Sequence, residues 1–180
     1  AVAATVEPVT PTGEVEFFDG GTSLGKVGLA ADGTASKAVS SLAVGSHDLS
    51  AVYVPDAGLA ASTSPTRTVS IEAAEATVAL TSSGSPSRRG EAVTFHIEVT
   101  GDGSTPTGTV TLRDGTTPVD TVTLDGSGTA DVVTSTLAGG PHVMVADYSG
   151  DASHGSATSA ALAHEVVGGT TTVLHPPASP

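Results

Sequence analysis

Histidines, carboxylates and hydroxyls are the side chains in this sequence with chemistry to offer. There are six histidines and 19 acidic residues, but no cysteine. That excludes thiolate metal sites, a cysteine nucleophile, disulfides and thiol redox chemistry. Six histidines raise the question of zinc. His47 and His142, however, each follow a glycine by two positions and open a strand, with no second ligand at metal spacing beside them. That place suits a turn-stabilising hydrogen bond. His96 falls on the outward parity of its strand, and His154, His164 and His175 stand isolated. Asp125, Ser127, Thr129 and Asp131 alternate around two glycines and resemble an oxygen-ligand calcium loop. The EF-hand spacing needs acids at its first, third and fifth positions and a Glu at the twelfth. Those are missing, so the stretch reads as a solvated hairpin.

Nucleophilic catalysis is no better supported. No Gly-x-Ser-x-Gly elbow follows a strand and opens a helix, the context that exposes a catalytic serine. Retaining-glycosidase chemistry needs two carboxylates roughly 5 Å apart in a cleft, and no cleft is evident among such small residues. The sequence contains no Asn, so a Lys–Asn isopeptide crosslink is impossible, and Lys26 and Lys37 lie among polar neighbours. The expectation is a protein that is not an enzyme, with no cofactor and no metal. A formal charge of −13, from 6 basic against 19 acidic residues, argues against nucleic acid, because phosphate binding needs a basic stripe. No apolar run approaches the roughly 18–20 residues of a membrane span, so membrane insertion is not expected.

The elements that must position these residues come from an internal repeat. Holding an offset of 95 without a gap from residue 11 to residue 79 aligns 69 positions, 25 of them identical. Shared pairs include Asp19/Asp114, Gly45/Gly140, His47/His142, Tyr53/Tyr148 and Asp56/Asp151. Two copies of one module are therefore expected, over 1–72 and 73–168. The repeated acids Asp56 and Asp151 sit in a turn after a strand, where a carboxylate caps backbone N–H groups.

Each copy reads as all-β. Phe95-His96-Ile97-Glu98-Val99 and Val110-Thr111-Leu112 alternate apolar and polar residues, the period of a half-buried strand. Asp19-Gly20-Gly21, Asp32-Gly33, Asp114-Gly115 and Asp125-Gly126 punctuate the chain at tight turns. In the second copy the pattern predicts strands near 76–81, 92–99, 108–113, 118–124, 129–135, 142–148 and 158–167. Seven short strands in about 95 residues imply an antiparallel sandwich. The inward set comprises Val15/Val110, Phe17/Leu112, Val27/Val122, Leu29/Leu124, Leu42/Leu137, Leu49/Met144, Ala51/Ala146 and Tyr53/Tyr148, with Val78, Leu80, Phe95, Ile97 and Val99 added in the second copy.

Three strings carry a resemblance. The first is 106–115, Pro-Thr-Gly-Thr-Val-Thr-Leu-Arg-Asp-Gly; the others are Leu137-Ala138-Gly139-Gly140-Pro141-His142 and Ala146-Asp147-Tyr148-Ser149-Gly150-Asp151-Ala152. They are similar to bacterial Ig-like repeats of the Big_3 group. The first copy departs from the pattern, with Pro55 where the family has Gly. The resemblance implies two tandem seven-stranded Ig-like β-sandwiches. It also implies a place in a secreted or cell-surface bacterial protein, as stalk, spacer or adhesive unit.

The repeat frame is cut out of phase. Val2-Ala3-Ala4-Thr5-Val6 matches Phe95-His96-Ile97-Glu98-Val99, the second strand of the module, so the first copy lacks its own first strand. At 169–180, Thr171, Thr172, Val173 and Leu174 match the first strand of a following module, or form a strand donated to another molecule. Val2, Ala4 and Val6 would line the receiving edge, since an unpaired edge favours pairing with another chain. The expected role is a non-enzymatic spacer of a surface or fibre protein, polymerising head-to-tail by strand donation if the termini act this way. Its partners would be other copies or neighbouring repeats. The alternatives are an adhesive module for a surface glycan or protein, with outward-facing Phe18 as the one candidate contact, and an accessory domain of a secreted enzyme. The junction 71–76 lacks Gly and Pro, which predicts a stiff connection.

Overall fold

A computed structural model describes residues 1–6, 11–56 and 58–168. All regular elements among them are strands. The first seven are β1 (Val2–Thr5), β2 (Gly13–Asp19), β3 (Thr22–Gly28), β4 (Thr34–Lys37), β5 (Gly45–Pro55), β6 (Ser62–Thr63) and β7 (Arg67–Ile71). They are followed by β8 (Ala76–Ser82), β9 (Ser87–Arg88), β10 (Val93–Gly101), β11 (Thr109–Asp114), β12 (Thr117–Thr123), β13 (Thr129–Thr134), β14 (Gly140–Tyr148), β15 (Ala157–Thr158) and β16 (Leu162–Val167). The chain divides after Glu72 into two compact units.

The second unit stacks a sheet of order β13-β10-β8 on one of order β12-β11-β14-β16-β9, with β15 also paired to β14. Strand alternation supplies the core. β10 buries Val93, Phe95, Ile97 and Val99 and leaves His96 and Glu98 in solvent. From the facing sheet, Val110, Leu112, Met144, Ala146 and Tyr148 meet them in one cluster. Neighbouring pairs are antiparallel except β16 with β9, which run parallel through Val166↔Ser87 and Val167↔Arg88.

In the first unit β1 pairs with β4, and the other sheet has the order β3-β2-β5 with β6 and β7 both on β5. Its buried core is Val15, Phe17, Ala35, Ala51 and Tyr53, with Val2, Ala4 and Val6 packed against it. Thr5 pairs with Thr34 as Glu98 pairs with Thr129, so Val2 and Ala4 stand where the second unit has Phe95 and Ile97. The repeat frame is therefore the same in three dimensions. Among the described residues the other edge of β1 has no strand corresponding to β8.

Two expectations need correction. The single strand over 158–167 is two strands, because Ser159 interrupts it. The Ser159 N–H donates to Ala146 O at 2.9 Å and its Oγ accepts from Ala146 N–H at 3.0 Å, so one residue fills both ladder positions while the chain steps out. Ser64 does the same to Ala51 in the first unit. The second difference is β9, a two-residue strand in a Ser-, Pro- and Gly-rich stretch too short for any periodicity to register. Within the expected inward set, Val27, Leu29, Leu42, Leu49, Leu80, Val122 and Leu137 are only half-buried.

The second unit's core depends on few large side chains, and Phe95 is wholly enclosed. Phe95→Ala is expected to cost about 3–5 kcal/mol, comparable with the whole stability of a small domain. Calorimetry should then lose the second unit's transition and keep the first unit's.

Candidate functional site

Three arrangements bring together residues with the chemistry to act. One is an open groove in the first unit, another is a histidine bridge present in both units, and the third is a set of carboxylate-centred turns.

The groove has a volume of about 440 Å³, and Val2, Ala4, Phe17, Phe18, Ala51 and Val69 are among its lining residues. In the second unit the equivalent space is filled. There β8 pairs with β10 through Leu80↔Ile97 and Val78↔Val99, and it covers β14, β15 and β16. Val2, Ala4 and Phe18 thus belong to one surface, which sequence reading had treated as an edge and a separate contact. Phe18 is half-buried rather than presented outward, where the β2–β3 register slips between Phe17 and Phe18. Val6 packs on the same core. Thr171, Thr172, Val173 and Leu174 lie outside the described residues.

The histidine bridge repeats almost atom for atom. His47 Nδ1–H donates to Asp19 Oδ2 at 2.6 Å and Nε2–H to Ala43 O at 2.8 Å. His142 makes the same bonds to Asp114 Oδ2 at 2.6 Å and Ala138 O at 2.9 Å. A carboxylate and a carbonyl only accept, so this pair of partners favours the doubly protonated, cationic imidazole. The bonds to the loop carbonyls, and then those to the carboxylates, raise both histidine pKa values against the opposing effect of burial. Each bridge ties the end of β2 or β11 to the loop before β5 or β14. It uses up both ring nitrogens, so neither histidine is free to ligate a metal.

The acids are likewise engaged within the fold. The Asp125 carboxylate accepts from Ser127 N–H and Oγ–H and from Thr129 N–H and Oγ1–H. The bond from the Thr129 backbone leads those that hold its pKa far below the ordinary carboxylate value. Asp131, the last acid of the calcium-like spacing, instead bonds His96 at 2.7 Å. Burial alone would push Asp151 up; bonds from Thr107 N–H, Ser153 N–H, Thr107 Oγ1–H and His154 N–H outweigh it and bring its pKa far down. Asp151 is thus a cap on three backbone N–H groups. For Asp56 it is the backbone that bonds, its N–H donating to Thr12 O. The string Gly21-Thr22-Ser23-Leu24-Gly25 has the spacing of a nucleophile elbow but lies along β3, where Ser23 Oγ–H donates to Glu16 at 2.6 Å. Among the described residues no group of three or more histidines and acids is placed to hold a metal ion.

Two histidines that sequence reading left isolated are buried. His154 sits between Asp151 and the Asp102 carbonyl, over Gly101, where a Cβ would come within 2.6 Å of the ring. His164 bonds Ser87 Oγ at 2.9 Å. Its parity was readable, since Leu162, His164 and Val166 alternate with exposed residues.

Each unit also has a tyrosine whose hydroxyl donates to a backbone carbonyl 41 residues upstream, Tyr53 to Thr12 at 2.7 Å and Tyr148 to Thr107 at 2.6 Å. Beside each carbonyl lies a glycine at positive φ, Gly13 and Gly108. A Cβ there would meet Val54 O at 2.3 Å or Gly150 O at 2.9 Å. Two sandwiches of mainly antiparallel strands, as in these units, have the immunoglobulin-like architecture. Both match the family described as bacterial Ig-like domain (group 3), over residues 1–72 and 80–167, and the chain belongs to that family. No curated protein matches the sequence. Among solved structures the chain is similar to the fibronectin(III)-like modules of Clostridium thermocellum CbhA, at 20% identity and a TM-score of 0.43, covering 96% of this chain and 89% of that one. Bacterial Ig-like domains are generally non-catalytic.

The bridge gives the protein an alkaline weakness. For a histidine whose pKa is higher folded than unfolded, the stabilisation is complete below the unfolded value of 6.5 and is lost as pH rises through the folded value. Unfolding midpoints of both units should fall as the pH is raised above 6.5. Asp19→Asn and Asp114→Asn should each flatten that fall in their own unit. A folded chain whose His47 and His142 resonances titrate at the ordinary value would contradict this.

Proposed function

We propose that this chain is a non-enzymatic spacer of a secreted bacterial surface or fibre protein, holding a functional part away from the cell. The observation that carries this reading is where the reactive side chains spend their bonding capacity. His47, His142, His154, Asp125 and Asp151 all turn inward onto the fold's own backbone and side chains. Family membership supports the surface location, since bacterial Ig-like domains are typical of extracellular surface proteins. No helix among the described residues is long and apolar enough to cross a membrane.

A spacer bears tension, and the units differ in how they would meet it. The second unit is closed by parallel β9 and β16, with Arg89 N–H donating to Val167 O at 3.0 Å beyond the paired residues. Pulling its ends apart loads those bonds together, in shear. Forced unfolding is governed by the barrier rather than by equilibrium stability. Single-molecule pulling should therefore give two events, with the second unit yielding at the higher force. Lengthening of up to roughly 3.5 Å per residue identifies the larger unit by its longer step. Equal forces would count against a load-bearing role.

The groove supports a second reading, head-to-tail assembly by strand addition. On this reading the occupant is the segment 171–174 of another copy, with Val173 taking the place of Val78 and so lying opposite Val6. Added strands gain main-chain bonds and side-chain pockets together, and a head-to-tail contact of unlike surfaces does not close on itself. Light scattering of the chain at several concentrations should report growing assemblies, and deletion of 170–180 should leave monomers. Assemblies that survive the deletion would sink this reading.

A further inference from the structure

His164 has no counterpart in the first unit. His142 pairs with His164 across β14 and β16, and at the same register His47 pairs with Val69. The ring is 2% exposed and lies edge-on to Phe95, with centroids 5.4 Å apart at 67°. Nε2 meets Ser87 Oγ of β9, itself buried, at 2.9 Å, whereas Nδ1 is buried and has no hydrogen-bond partner among the described residues. In either tautomer of the neutral ring the Nε2–Ser87 Oγ hydrogen bond forms, with the serine hydroxyl accepting or donating. A second proton makes both ring nitrogens donors, and among the described residues Nδ1 then has no acceptor.

The charged groups around the ring oppose that second proton. From β14 it is paired with His142, whose own bonds favour the cationic form. On its own strand Glu165 points to the other, exposed side, and from β9 and β10 the ring meets Ser87 and Phe95. Burial foremost, then His142, lowers its pKa, and Glu165 offsets only part of this. The buried His154, by contrast, has acceptors at both nitrogens.

We infer that the Ser87–His164 contact is an acid-released latch, holding β9 against β16 while the ring is neutral and letting β9 go when the ring takes its second proton. The other ties at this seam are few: the short parallel ladder, Arg89 N–H on Val167 O, and Glu165 N–H on Ser85 Oγ at 3.0 Å. Releasing β9 uncovers the ring on its Ser87 side, so that the charged form reaches solvent, and leaves β16 with an unpaired edge. The first unit has valine at this position and cannot respond.

The sign follows from the direction of the shift. A histidine whose folded pKa lies below the ordinary 6.5 costs nothing above that pH, and favours the open form progressively as pH falls beneath it. The opening equilibrium should grow by up to about tenfold per pH unit below 6.5. The test is amide hydrogen exchange on the full chain between about pH 7 and about pH 5, corrected for intrinsic rates and read at Arg89 and Glu165. Opening at these amides should increase on acidification, and His164→Val, copying the first unit, should abolish the increase. Wild-type histidine resonances provide a check independent of any variant's folding: His164 should titrate below 6.5 in the closed chain. The inference is overturned if His164→Val retains the acid response, or if His164 titrates at its ordinary value with exchange unchanged.

Discussion

A sandwich built mainly from valine, alanine and threonine buries little apolar area per residue, and this constraint shapes the rest of the molecule. Where the core is thin, hydrogen bonds must fix how the strands end and how the loops return. The tyrosine hydroxyls on Thr12 and Thr107, the histidine bridges on Asp19 and Asp114, and the serines that replace ladder residues opposite Ala51 and Ala146 all do this. Each joins separate segments of the chain, and each tyrosine or serine tie is anchored on a residue of the buried core. With no cysteine available, these polar ties are what remains to supplement packing.

Much of this was legible in the residues because the repeat supplied two readings of one pattern. Strand alternation placed Phe95, Ile97 and Val110 inward, and shared turn residues fixed the frame in which Val2 stands for Phe95. What escaped had physical reasons. Two-residue strands such as β9 have no period to detect, and the break at Ser159 depends on a side chain mimicking backbone. The bonds of Asp125 follow from loop geometry, which composition and spacing do not encode, whereas the cap at Asp151 was readable from its turn. His164 is the instructive miss: its inward parity was present, but a histidine flanked by Ala163 and Glu165 does not announce a buried strand.

The two units therefore share one frame and differ in closure. In the second, β8 and β9 cover both sheets at the same edge, one pairing with β10 and the other with β16. In the first, the corresponding space is the groove beside β1. The large side chains follow the same division, with Val2 and Ala4 where the second unit has Phe95 and Ile97. A core trimmed in this way leaves the first unit more dependent on its polar ties than the second.

The spacing of those ties has a genetic consequence. The bridge partners are 28 residues apart in both units, and the tyrosine partners 41. Every such contact is therefore completed inside one 95-residue period, and none requires a residue from the neighbouring copy. Unequal crossing-over that adds or removes a whole period leaves all of them intact, so the number of copies is free to drift in length without any compensating substitution.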